Sequence, residues 1–181
     1  MEQRIMKLIE KTYFEKNYDD FKNGCKVELE FISDLCETMR KAVSDIAVSS
    51  FNDFPCTEMN INVGEFSDGG FSVKYTSVLS ISKVCPAFNL RHEFSVDNID
   101  PNKIDPVLDG FSDEAYNKKQ FELDEIVSEY LQNKGYSRLS YAQMSEVIPN
   151  ISMPKNNLFG NQMTVEYAIF NDLWNICESD D

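Results

Sequence analysis

Side chains able to do chemistry are few in this chain, and any mechanism that needs an imidazole must use its one histidine, His92. That residue lies in Leu90-Arg91-His92-Glu93-Phe94, where apolar and charged residues alternate. Successive side chains of a strand point to opposite faces, so His92 shares the apolar face with Leu90 and Phe94. A histidine so placed reads as a satisfied core or edge residue rather than as a base. Cys85 is the nearby nucleophile, seven residues away and of opposite parity. A continuous strand would hold the two ~23 Å apart at ~3.3 Å per residue. A nucleophile–base pair needs ~3 Å. Only a sharp reversal at Pro86 would bring them together.

The densest group of potential ligands is the acidic stretch 97–114, with Asp97, Asp100, Asp105, Asp109, Asp113 and Glu114. Oxygen ligands suit hard cations, but an EF-hand loop needs D-x-[DN]-x-[DN]-G closed by Glu, and no register here supplies it. Ile99, Ile104, Val107, Leu108 and Phe111 are interleaved with these acids. Charge combined with apolar anchors is the make-up of an electrostatic docking surface, with a solvated loop as the plainer alternative. Glu28 and Glu30 flank the expected start of the second helix, and Asp124, Glu125 and Glu129 its successor's polar side; solvation and the helix dipole account for them. No Walker loop, G-x-G-x-x-G, G-x-S-x-G or H-E-x-x-H occurs. The sequence therefore nominates no catalytic residue, no metal site and no cofactor.

The bulk charge narrows the partners. Seventeen Lys and Arg stand against 31 Asp and Glu, for a net charge of −14. Residues 1–96 hold 11 basic and 15 acidic side chains, and 97–181 hold 6 and 16, so most of the negative field arises in the second half. Nucleic-acid binding draws on clustered Lys and Arg at phosphates, and anionic membranes select the same residues, so neither fits. A basic protein partner does. Five cysteines at irregular spacing, without C-x-x-C, argue against structural zinc and read as buried free thiols in a reducing compartment. Charges thread the N-terminal residues, which excludes a secretory signal within them, and no apolar run spans a membrane. The expected setting is cytoplasmic.

The elements that must position these residues follow from periodicity. Ile5, Leu8, Ile9 and Tyr13 predict an amphipathic helix over 2–16, and residues 17–24 a break. Ile32, Leu35, Cys36, Met39, Val43, Ile46 and Ala47 predict a second helix over 29–49. Period 2 then takes over in Met59/Ile61/Val63, Phe71/Val73/Tyr75, Leu79/Ile81 and Phe88/Leu90/His92/Phe94/Val96, with Asp68-Gly69-Gly70 supplying a hairpin turn. An antiparallel meander over 57–97 is expected. After the acidic connection, a helix start at Ser112 leads to an apolar face of Phe121, Ile126, Val127, Tyr130 and Leu131, closed by Gly135. Residues 136–147 fit a strand or a short helix, 148–162 a loop, and Val165/Tyr167/Ile169 a final strand.

The sum is one α+β domain over 1–181: two N-terminal helices, a central antiparallel meander, a third helix and a C-terminal strand. The function expected is a non-catalytic, acidic protein-binding module. It could be an inhibitor or immunity-type protein that masks a basic toxin, binding through Asp97, Asp100, Asp105, Asp109, Phe111, Asp113 and Glu114. The alternatives are a small enzyme without a known motif, metal-assisted through scattered carboxylates, and a structural subunit that assembles through the 148–162 loop or an open sheet edge.

Overall fold

The computed structural model describes residues 3–43, 45–50, 54–98, 100–102, 108–154 and 160–177. It is an α+β fold built on a mostly antiparallel sheet. In chain order the elements are α1 (Gln3–Ile9), which runs into a π-turn over Glu10–Phe14, α2 (Asp19–Cys25), α3 (Ile32–Met39), β1 (Asp45–Ser50), β2 (Cys56–Asp68), β3 (Phe71–Ser82), β4 (Ala87–Asn98) and β5 (Leu108–Ser112). Then come α4 (Lys118–Asn133), β6 (Ser137–Arg138), α5 (Tyr141–Met144), β7 (Val147–Ser152), β8 (Gln162–Thr164) and α6 (Val165–Ile169). The sheet order is β1-β2-β3-β4-β5, with β6 parallel to β4, and β7 and β8 form a separate ribbon.

The expected meander is β2, β3 and β4, and Asp68 pairs with Phe71 across Gly69-Gly70, where Gly69 takes φ +58°. The buried residues Met59, Ile61, Leu79, Ile81, Phe88 and Leu90 line the sheet's inner face. α3 contributes Leu35 and Met39, and α4 contributes Leu123, Val127 and Leu131, to the same core. A second core joins Ile5 and Ile9 of α1 to Ala87, Leu139, Met163, Val165, Ala168 and Ile169.

Five local expectations are corrected. The second helix stops at Met39, and 45–50 form β1, because Ile46 and Val48 pair with Ile61 and Met59 on the inner face. β-Branched residues in a six-residue ladder favour the strand over a continued helix. The break at 17–24 contains α2, whose Phe21 and Cys25 are buried one turn apart; Gly24 sits in it because a Cβ there would lie 2.9 Å from the Val84 backbone. The 148–162 stretch contributes to the β7–β8 ribbon rather than being a plain loop. The C-terminal strand lies earlier, at β8, while Val165–Ile169 is a helical turn capped by the Thr164 hydroxyl, which accepts from Tyr167 N. Finally, Cys25 and Cys177 form a disulfide, whereas Cys36, Cys56 and Cys85 are buried free thiols. Residues 136–147 resolve into β6 and α5. No helix among the described residues is long and apolar enough to cross a membrane.

Candidate functional site

β4 carries the one histidine into the interior. Its parity turns His92 inward beneath α4 and Glu93 outward, as the sequence implies. His92 is fully buried and pairs across the ladder with Ser77. Its Nδ1 lies 2.9 Å from Ser77 Oγ, and its Nε2 3.0 Å from Asp124 Oδ2 on α4. With the proton on Nε2 donated to Asp124, Nδ1 accepts from the Ser77 hydroxyl, so one neutral tautomer satisfies the line. Asp124 also accepts from Arg138 Nη1 at 2.6 Å and from Ser128 Oγ at 3.2 Å. Arg138, on β6, donates further to the carbonyl of Asp113 at 3.0 Å. Burial alone would raise the Asp124 carboxyl, but the hydrogen bonds from His92 and Arg138 and the Arg138 charge hold it below the ordinary aspartate value.

Serine, histidine and aspartate in one hydrogen-bonded line are the residue types of an acyl-transfer triad. Here the line is a structural pin. Ser77 is 0% exposed at the centre of the sheet, so no substrate carbonyl can approach its Oγ. Cys85 offers no substitute, since its thiol faces Ser82 Oγ at 3.6 Å. Among the described residues, no group of three or more His, Cys, Asp or Glu is placed to hold a metal ion.

The concave surface lies beside this pin, where β5 leaves the sheet and α4 begins. A cavity of about 620 Å³ is lined by Asp113, Glu114, Tyr116, Asn117, Phe121 and Asp124, among others. A second hollow of about 350 Å³ lies along β4 and β5, lined by Glu93, Phe94, Asp109 and Phe111 among others. Asn117 caps α4 by accepting from Gln120 N, and the buried Gln120 amide donates to the carbonyls of Thr76 and Glu93. That clamp fixes the first turn of α4 over the sheet. Phe94 and Tyr116 meet edge-on at 4.7 Å across Gly110, where a Cβ would come within 2.7 Å of the Phe94 ring. Only glycine leaves the ring its place.

Aromatic side chains remain uncovered around this edge. Phe111 is 53% exposed, Phe121 56%, Tyr141 49% and Tyr116 40%. Phe111 packs edge-on against Tyr141 at 5.4 Å, with the Arg91 guanidinium 5.5 Å above its ring. Arg91 is itself held by Glu93 at 2.7 Å.

The structure brings part of the sequence-nominated set together. Asp109 and Phe111 are exposed on the outer face of β5, an edge strand rather than the expected loop. Asp97, on the neighbouring β4, shares that face, about 7–8 Å from Asp109 by the diagonal spacing of paired strands. Glu114 is exposed on the cavity wall. Asp113 is committed elsewhere: its carboxylate accepts from Tyr141 N and from Asn89 Nδ2. Asp100 is exposed in a turn, accepting from Asn102 N at 2.8 Å, away from the cavity. Asp105 lies outside the described residues. Tyr116, Tyr141 and Phe121 were missed as surface residues. Phe121 is expected on the buried face of α4, yet Leu123, Val127 and Leu131 at i, i+4, i+8 form that stripe, and Phe121 falls outside it. Reading the stripe alone would have exposed the mismatch.

Compared with protein families, with curated proteins and with solved structures, the chain shows no match.

Proposed function

We propose that this chain is an acidic protein-binding module that docks a basic partner around the β5 edge and the start of α4. The observation that carries the reading is two sets of exposed rings flanked by carboxylates: Phe111 against Tyr141, with Asp109 and Asp97 on the outer face of the sheet edge, and Tyr116 and Phe121 with Glu114 on the cavity beside α4. Aromatic residues and arginine are enriched where partners desolvate, and large rigid rings supply the anchors. Surrounding like charges steer a partner of opposite sign and set its orientation more than they add affinity. With a net charge of −14, that partner is cationic. A partner Lys or Arg entering the cavity would meet aromatic faces and the Glu114 carboxylate, a combination that favours cations. An inhibitor or immunity-type role, masking the cationic substrate surface of a toxin such as a nuclease, is one biological form of this reading. The cytoplasmic setting expected from the sequence belongs to the same proposal.

The enzymatic alternative, a motif-free site metal-assisted through scattered carboxylates, gains nothing from Ser77 and His92, which are both buried within the sheet. Interferometry against cationic nucleases, at low and at raised salt, tests the proposal. The expected result is a complex that weakens steeply with salt and is lost in a Phe111→Ala, Asp109→Lys, Glu114→Lys variant. A complex insensitive to both would overturn it.

A further inference from the structure

The disulfide ties two segments far apart in sequence: Cys25 ends α2, and Cys177 closes the stretch 171–177, 152 residues later. That stretch has no regular helix or strand and folds on itself, the Asp172 carboxylate accepting from Ile176 N and Cys177 N at 2.7 Å each. It packs through Trp174, 5.1 Å from the Tyr13 ring, and through Ile176 onto Phe21. The resulting cluster of Phe21, Cys25, Ile176 and Cys177 is distinct from the core between the sheet and helices α3 and α4. Leu173 and Trp174 also lean on the rim of the second core, partly buried, and among the described residues none of the strap packs on the core between the sheet and α3 and α4. A segment with its own internal turn, so placed, can leave without dismantling the sheet.

We propose that the Cys25–Cys177 bond is a reversible redox latch, and that its reduction releases residues 171–177 from α2. In the releasing step a dithiol reductant's thiolate attacks Sγ of Cys177, the less deeply buried of the two residues, when the strap frays. The S–S bond breaks, Cys25 leaves as thiolate and takes a proton, and a mixed disulfide forms on Cys177. The reductant's second thiol then displaces Cys177, so the dithiol is oxidised to a disulfide while the protein gains two electrons and two protons. Re-closure by a low-molecular-weight disulfide such as oxidised glutathione is the reverse exchange. The remaining cysteines are poor competitors: burial raises the Cys36 thiol and pushes the Cys56 thiol up to about 12, and the Cys85 thiol is engaged by Ser82 Oγ. The latch rests on the cytoplasmic setting proposed above: in a reducing compartment disulfides are mostly transient and redox-sensing, which is the behaviour a latch requires. Release uncovers Phe21 and Tyr13, whose cluster shares Val84 with a groove lined by Arg4, Lys7 and the Lys11–Asp20 pair.

Trp174 is the chain's one tryptophan and sits in the strap, so its fluorescence reports the latch directly. The protein is oxidised with oxidised glutathione, checked by alkylation and intact mass, and followed through dithiothreitol addition by Trp174 emission and amide hydrogen exchange. The expected result is a red shift of emission and faster exchange at 171–177 and in α2, with β2–β4 and α4 still protected, all reversed on re-oxidation. A Cys25→Ser, Cys177→Ser variant is expected to sit in the released state and ignore dithiothreitol. The proposal is overturned if both cysteines remain alkylatable after oxidation, if reduction changes neither readout, or if the sheet loses protection together with the strap.

Discussion

Replacing Asp124 by alanine is the sharpest perturbation of the fold around the site. The substitution removes the acceptor of three hydrogen bonds, from His92, Arg138 and Ser128. Arg138 keeps the Asp113 carbonyl and is partly exposed, so water replaces much of what it loses. His92 has no such recourse, being fully enclosed with Nε2 aimed at the vacated position. Leaving a buried donor unpaired costs about 1–3 kcal/mol, and a hydrogen bond to a charged group contributes about 1.5–3 kcal/mol. Asp124 itself is 19% exposed, which moderates the figure for a fully buried ion pair. The expected loss is about 3 kcal/mol, or a fall in Tm of roughly 6–12 °C for a chain of this length. Urea unfolding followed by far-ultraviolet circular dichroism measures it, with the midpoint shifted and the slope unchanged. Asp124→Asn, which keeps an acceptor but not the charge, is expected to fall between. A loss below about 1 kcal/mol would refute the reasoning, since the line from Ser77 to Arg138 would then hold nothing together. The acid side gives the sign independently. A carboxyl held below its unfolded value stabilises the fold above the ordinary aspartate range, and that contribution disappears as pH falls through the folded value. Wild type is therefore expected to lose stability there more steeply than Asp124→Asn.

Three further outcomes are expected. Gly110→Ala drives a methyl into the Phe94 ring and should cost about 1–3 kcal/mol, with β5 amides losing protection first in hydrogen exchange. Glu166 behaves oppositely to Asp124: burial raises its carboxyl despite the nearby Arg91, so ionising it opposes folding as pH climbs from the ordinary glutamate value. Glu166→Gln should then stabilise the protein at neutral pH and not at acid pH, read by paired urea titrations. Phe121→Ala changes an exposed ring and should leave stability within about 0.5 kcal/mol of wild type by thermal melting, whereas Phe111→Ala, which loses the Tyr141 edge contact and the Arg91 guanidinium, should cost about 1 kcal/mol.

What the sequence made legible follows from the range of the interactions involved. The meander was readable because the alternations of Met59, Ile61 and Val63 and of Phe88, Leu90 and His92 are local, and Asp68-Gly69-Gly70 marks its own turn. The same parity placed His92 inward. Its partners were not readable, because Asp124 is 32 residues away and Ser77 fifteen, and only the packed sheet and α4 join them. Val165, Tyr167 and Ile169 alternate like a strand, yet Val165, Ala168 and Ile169 fit a helical turn equally, and burial of the latter set decided the outcome. Thr164 before that turn was an available capping signal. The cysteine pairing belongs to the same class as His92's partners: irregular spacing says nothing about which thiols α2 and the strap bring within reach.

The docking surface is tested most directly by using the protein as bait in extract of its own cells, wild type beside the Phe111→Ala, Asp109→Lys, Glu114→Lys variant. The expected result is a basic protein retained by wild type, released as salt is raised, and absent from the variant, with the purified pair reproducing that salt dependence. Identical captures on both baits, or a wild-type partner that is neutral or acidic and indifferent to salt, would contradict a β5-edge surface built to receive a cation.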